Sequence, residues 1–372
     1  MPLLVTYRLT SPEPLALARA LCVEQTIEFP HDLVTDRFVL DHVVARVASL
    51  EPAGPGQSLA RLAFEAHVAG NELTQLLNVV FGNASLLPGV RVEAVELPPE
   101  LLRVFRGPRF GAAGLRALAG APARPLLCSA LKPMGLAAEA LADMAYRYAL
   151  GGLDLVKDDH GLADQPFGRY QARVEACAAA VARANAEVGG RCRYVANVTA
   201  PADQLGARAR FARDAGVGGL MVAPGLVGFD AMRALADDDA LDLPLLQHPA
   251  FAGSFVTRPT EGLSFGVLFG TLARLAGADA SIFPHAGGRF SCAPADCAAA
   301  AAACRAPFGA LAPILPAPAG GMRLDRVAEL RAFYGDDVLF LIGGDLHRHG
   351  DLVAACRRLR ASVEAPGPAS FA

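Results

Sequence analysis

Lysine is almost missing from this chain: of 34 basic residues only Lys132 and Lys157 are lysines, and the other 32 are arginines. Where a position needs only a solvated positive charge, this sequence uses arginine. The two lysines therefore mark places that require a primary amine, a group that can lose its proton, attack a carbonyl or react with carbon dioxide. A guanidinium does none of these near neutral pH. Also missing is an excess of charge of either sign. The formal net charge of −3 leaves no electrostatic footprint for nucleic acid or an anionic membrane. No apolar run is long enough to span a bilayer, and MPLLVTYRLTSPEP has no basic segment leading into an apolar one. The expected location is the cytoplasm. The eight cysteines form no CxxC pair, so neither a zinc site nor a disulfide framework is expected. Cys292, Cys297 and Cys304, in an Ala-rich run, read as small apolar residues of a reduced protein.

What is present is a globular composition, 53% hydrophobic and 19% charged over 372 residues, enough for two domains. Residues 1–107 read as a ferredoxin-like α+β domain in the order β-α-β-β-α-β. VTYRLT, DRFVLDHVVARVASLEP, LARLAFEAHV and GVRVEAVELP supply the strands, and PEPLALARALCVEQTI and NELTQLLNVVF the helices. LARLAFEAHVAG also admits a helix. From residue 108 to 372 the pattern becomes regular. Eight short apolar runs (LLCSAL, LDLV, RYVANV, GGLMVA, LPLLQ, ASIF, ALAPIL and VLFLI) each precede a helical stretch, the fifth helix over 263–276. Eight such units predict an α/β fold, a closed (β/α)8 TIM barrel. The alternative, an open doubly wound sheet, lacks a GxGxxG after its first strand.

Chemistry in such a barrel gathers where the strands end. The first delivers Lys132, the second Lys157, Asp159 and His160, the third Asn197 and Thr199, the fifth His248, and the sixth His285 and Arg289. The last two end in Gly320–Gly321 and Gly343–Gly344, whose backbone N–H groups can approach a phosphate because no Cβ intervenes. Lys157 carries three readings. As a carbamate it would join Asp159, and His160, in a Mg2+ site. As a free amine it is a buried ion-pair partner of aspartate, or a base with a depressed pKa. A Schiff base on Lys132 or Lys157 is a further, metal-free option.

These residues carry a family resemblance. GGLDLVKDDHGLADQPF resembles the GGLDFTKDDE motif of the RuBisCO large-subunit superfamily, and RPLLCSALKPMGL its RPLLGxxxKPKLGL segment. FRGPRFG, YVANVTA, APAGGM, FLIGGD, CVEQTIE and LLNVVFGN match further segments in the same order over essentially the whole chain. The resemblance implies a Mg2+-binding carbamate on Lys157, a catalytic Lys132, and a homodimer in which Glu24 and Asn78 of one subunit complete the partner's site. It also implies a RuBisCO-like, non-carboxylating protein, because the carboxylase pattern is broken. His160 replaces a metal-binding glutamate, and Arg289 replaces the mobile-loop lysine. Pro249, Ile282 and Ala319 stand where a second phosphate is held, and Ala223 and Pro224 replace a histidine and an aspartate. The expected reaction is enolisation of a keto sugar or keto sugar acid bearing one phosphate. Lys132 would shuttle the proton, with Arg289 over the substrate and Asn197 and His248 lining the pocket. Decarboxylation of a 3-oxo-isoapionate-type acid is favoured over isomerisation of a methylthioribulose phosphate, because a substrate carboxylate would give Arg289 a partner. A non-catalytic binding protein is the remaining alternative.

Overall fold

Alternating apolar residues organise the first sheet. In the computed structural model, which describes residues 1–290 and 292–364, β1 (Leu3–Thr10) lies between β3 (Gln57–Phe64) and β4 (Val90–Glu96), antiparallel to both. β2 (Arg46–Pro52) extends the sheet beyond β3. Leu3, Val5, Tyr7 and Leu9, all on one face of β1, are fully buried. They pack with Leu21 of the helix Pro14–Glu24 and with Leu76 and Val80 of the helix Leu73–Phe81. The Tyr7 hydroxyl donates to the Val80 carbonyl at 2.6 Å, so the one polar group in that row is satisfied. LARLAF is a strand here, and its helical alternative is not adopted. The stretch expected to be one strand, DRFVLDHVVARVASLEP, divides. The Asp36 carboxylate accepts from the N–H groups of Phe38 and Val39 and caps a short helix, Arg37–His42, before the strand begins.

Eight barrel strands form: β5 (Leu126–Leu131), β6 (Leu155–Asp158), β7 (Arg193–Asn197), β8 (Gly219–Val222), β9 (Leu245–Gln247), β11 (Ala280–Pro284), β12 (Leu315–Ala319) and β13 (Leu339–Leu341). Seven fall on the expected runs, and the seventh in order is displaced: ALAPIL is irregular up to Leu315, and the strand runs on through LPAPA. They pair in parallel in the order β12-β11-β9-β8-β7-β6-β5-β13, and β12 lies beside β13, closing the barrel. Alternation assigns two faces to every strand. Leu126, Cys128, Leu155, Val195, Met221, Leu246, Ile282, Ala317 and Leu339 fill the interior, and their neighbours pack outward under the helices.

The fifth unit departs from expectation. The expected helix forms over 265–275, but ahead of it Gly262–Leu263 forms β10, which pairs in parallel with β4 and so adds a fifth strand to the first sheet. Ser264 secures the join, its N–H donating to the Val92 carbonyl at 2.9 Å and its hydroxyl to the Glu93 carbonyl at 3.1 Å. The helix that follows contains a π-helical turn, Val267–Thr271. Gly270 there packs so closely on the helix Pro294–Arg305 that a Cβ would lie 2.3 Å from that of Ala303. No helix among the described residues is long and apolar enough to cross a membrane.

Candidate active site

Strand alternation puts Lys157 on the interior face, two residues after Leu155, and Asp158 on the outer face. Lys157 is only 2% exposed, and its Nζ donates to the Asp158 carbonyl at 2.9 Å. Burial pulls its ammonium below the ordinary lysine value, against the opposing pull of Cys128 and Asp159. Lys132, at the end of β5, reaches across to Asp159, Nζ to Oδ1 3.0 Å. His160 Nδ1 approaches the same oxygen at 3.3 Å. Burial alone would raise the Asp159 carboxyl. His160, Lys157 and Lys132 together outweigh it and hold the group well below the usual carboxylate range. Lys132 thus touches the Asp159 carboxylate, and the charge of Lys157 acts on the same group without a contact.

His248, at the end of β9, stacks on His160 with ring centroids 4.4 Å apart and planes 14° apart. The Ala250 N–H donates to His248 Nδ1 at 3.1 Å, which leaves the proton of the neutral ring on Nε2. Burial, with Lys157 and His160 adding to it, holds His248 well below the ordinary histidine value. At neutral pH it is a hydrogen-bond donor rather than a cation.

Behind the strand a buried network fixes this geometry, and the sequence pattern gave no sign of it. Asp158 and Arg173 form an ion pair, Nε to Oδ2 3.3 Å, with both side chains fully buried. Asp158 also accepts from the Tyr194 hydroxyl at 2.7 Å and the Asn197 N–H at 3.1 Å. Arg173 donates onward to the carbonyls of Ala163, Gly168 and Leu162, clamping the loop after β6. Asn197, expected to line the pocket, is 1% exposed. Its amide donates to the carbonyls of His160 and Leu162 and accepts from the Thr199 N–H, so it holds the same loop and is not free for substrate. His285 is likewise turned away, its Nδ1 2.8 Å from the Tyr334 hydroxyl behind β11.

The two glycine pairs differ. Gly320 and Gly321 have positive φ, 91° and 109°, and lie under the loop after β11. A Cβ on Gly320 would lie 2.9 Å from the Phe290 ring, and one on Gly321 3.0 Å from the Arg289 nitrogen. Arg289 N–H donates to the Gly320 carbonyl at 2.7 Å, so this pair has a structural reason to be glycine. Gly343 and Gly344 have neither: no positive φ, and nothing within 4 Å of a Cβ on either. A Cβ at either position would meet open space, so packing does not require glycine there. The Arg289 guanidinium is exposed and lies over the Phe290 ring, 5.2 Å from its centroid.

Glu24 and Asn78 lie together on one edge of the first domain. Gln25 links their elements by donating to the carbonyls of Asn78 and Val79 and accepting from the Ala84 N–H. Glu24 accepts from Asn83 at 2.8 Å, and Asn78 is exposed.

The donor set can be tested against Mg2+. Among the described residues no cluster of three or more His, Cys, Asp or Glu could hold a metal, so a lysine-derived ligand is needed. Burial favours the neutral Lys157 amine, the form that adds to carbon dioxide, and its carbamate with Asp159 would present hard oxygens suited to Mg2+. The two fit. His160 lies beside this pair, its Nδ1 3.3 Å from Asp159 Oδ1 and its ring stacked on His248.

Comparison with known proteins places this geometry. Residues 112–289 match the model of the ribulose bisphosphate carboxylase large chain, catalytic domain. A ribulose bisphosphate carboxylase-like protein of Rhodopseudomonas palustris is 43% identical over 98% of both chains. The crystal structure of a Rubisco-like protein from that organism superimposes with a TM-score of 0.90, at 41% identity and 99% coverage of both chains. A Rhodospirillum rubrum protein named 5-methylthioribulose-1-phosphate isomerase is 43% identical over 92% of this chain and 90% of its own. A Microcystis aeruginosa protein named 2,3-diketo-5-methylthiopentyl-1-phosphate enolase is 31% identical over 83% of this chain and 78% of its own.

Proposed function

From a chain that belongs to the ribulose bisphosphate carboxylase large-chain family, in its RuBisCO-like branch, we propose an isomerase that moves a proton between adjacent carbons of a monophosphorylated keto sugar of the 5-methylthioribulose 1-phosphate type. The expectation of a decarboxylase acting on an isoapionate-type acid gives way here. Relatives along nearly the whole chain are named as an isomerase and an enolase. Arg289, on which that expectation leaned, rests on Phe290 in an exposed loop.

The observation that carries the reading is the contact between Lys132 and Asp159, 3.0 Å apart at the barrel mouth beside the buried Lys157. The substrate phosphate sits on the N–H groups of Gly343 and Gly344, with those of Gly320 and Gly321 adjoining. The carbonyl end of the sugar then lies towards the two lysines. Lys132 Nζ, once it has given its own proton to solvent, takes the proton from the carbon beside the carbonyl. Asp159 holds the resulting ammonium in place until the proton returns to the neighbouring carbon. His248 donates from Nε2 to a substrate oxygen as negative charge develops on it. Lys157 as its carbamate, with Asp159, would hold Mg2+, which when bound supplies positive charge to the enediolate oxygens. The working unit is a homodimer in which Glu24 and Asn78 of one subunit reach the other's barrel mouth.

Incubation with the methylthioribulose phosphate in deuterated water tests the proton transfer. The wild type should convert the sugar and carry solvent deuterium into it. Lys132→Met should bind the substrate yet lose roughly 10²–10⁴-fold in kcat. Full activity in that variant would remove Lys132 from the reaction, and a borohydride-trapped adduct on either lysine would replace this reading with a Schiff base.

A further inference from the structure

The helix Pro294–Arg305 begins at Ala293, whose N–H donates to the Asp296 carboxylate at 3.1 Å, and Pro294 takes the first helical position. At such a start the residue before the cap and the fourth residue of the helix commonly pack as an apolar staple that fixes how the chain enters the helix. Counted from Ala293, these are Cys292 and Cys297. Their sulfurs lie 3.9 Å apart. Both thiols reach the Pro284 carbonyl at the end of β11, at 3.4 and 3.5 Å, and the Ala286 N–H donates to Cys297 Sγ at 3.3 Å. All eight cysteines are free thiols. Seven are buried, and Cys292 alone is half-exposed, so a reagent can reach this pair. Cys304, the third cysteine of the same run, is turned elsewhere and donates to the Phe269 carbonyl at 3.4 Å.

We propose that Cys292 and Cys297 form a reversible disulfide when the chain meets a low-molecular-weight disulfide oxidant, turning the staple into a covalent tether. The exchange balances in two steps. The Cys292 thiolate attacks one sulfur of oxidised glutathione, breaking its S–S bond and releasing one glutathione thiolate. The Cys297 thiolate then attacks Cys292 Sγ in the mixed disulfide and releases the second. Two protein thiols are oxidised, one glutathione disulfide is reduced to two glutathione molecules, and the protein protons pass through solvent to the glutathione thiolates. Burial, with Cys297 beside it, pushes the Cys292 thiol up to about 12. Exchange is therefore slow at neutral pH and quickens about tenfold per pH unit. Such a pair responds to sustained oxidation rather than to the resting state of a reducing compartment. The tether removes both S–H donors from the Pro284 carbonyl and fixes the chain two residues beyond Phe290, on which Arg289 rests. This inference stands on the helix start and is independent of the reaction proposed above.

The test uses the full-length reduced protein, oxidised glutathione and intact mass. Closure loses about 2 Da with no glutathione retained. Cleavage before Asp296, the one peptide bond site of that kind between the two cysteines, should leave the fragments joined until dithiothreitol is added. Cys292→Ser and Cys297→Ser should abolish the joining, and Cys304→Ser should preserve it. The proposal is overturned by a lasting glutathione adduct on wild-type Cys292, by linkage to Cys304, or by thiols that all remain open to alkylation. Because the wild type is read directly and reversed with dithiothreitol, the result does not depend on any variant folding.

Discussion

Replacing Arg173 by methionine removes the only positive charge described as bonded to the Asp158 carboxylate, and the size of the effect follows from burial. Both side chains are fully buried, and Asp158 would keep the Tyr194 hydroxyl and the Asn197 N–H but lose its counter-charge. The carbonyls of Ala163, Gly168 and Leu162 would lose their guanidinium donor as well. Breaking a buried pair on one side costs about 3–5 kcal/mol, because the remaining charge is stranded. Arg173→Met should lose that much in guanidinium chloride unfolding at pH 7, while Asp158→Asn/Arg173→Met, which strands no charge, loses less. The pH dependence has a definite sign. Burial already raises the Asp158 carboxyl above its unfolded value despite Arg173. Without Arg173 it rises further, so the deficit is largest well above that pKa and shrinks as the pH falls through it. A deficit below about 1 kcal/mol, or a double variant as unstable as the single one, would refute the stranded-charge reasoning.

Gly343→Ala and Gly344→Ala should change stability by no more than about 0.5 kcal/mol, since nothing crowds a Cβ there, yet raise KM at least roughly tenfold if a phosphate occupies that space. Gly321→Ala, at φ 109° and 3.0 Å from the Arg289 nitrogen, should instead lower the melting temperature. Calorimetry with Mg2+ should show binding that needs bicarbonate in the wild type and none in Lys157→Met. Bicarbonate-independent binding would remove the carbamate. Lys132→Met should cost about 1 kcal/mol at pH 7, a discounted figure because Lys132 is one-third exposed. Asp159 is held below its unfolded value, so its contribution is present above the ordinary carboxylate range and is lost as the pH falls through its depressed pKa. The gap between wild type and variant should therefore close in acid, which paired unfolding titrations can follow.

Periodicity made the barrel legible. Each strand is a short apolar run, and the charged cluster after LDLV announced the site because such residues rarely end a buried strand without a task. Lys132 and Lys157 were visible through rarity, a compositional signal that holds because arginine fills the other basic positions. Arg173 and Gln25 were invisible for the opposite reason. One is an arginine among 32 and the other an ordinary glutamine inside a helical stretch, and only the tertiary fold carries them to Asp158 and Asn78. The loop-holding bonds of Asn197 were not legible, because position at a strand end does not say which way an amide is committed. The helix within 263–276 was legible, but the two-residue strand before it was not, because Gly262 and Leu263 pair with a sheet edge that lies far away in the chain.

That edge has a consequence for how the chain is made. β4 ends at Glu96, and the strand that covers its free side begins at Gly262. On the ribosome roughly 166 residues separate the two, about 8–33 s of synthesis at typical rates. Through that interval Arg91 and Val92 present unpaired backbone groups to solvent, a template on which another nascent chain could dock. The first sheet is complete only once more than two-thirds of the polypeptide has emerged, so the N-terminal domain finishes maturing under the direction of the barrel translated after it.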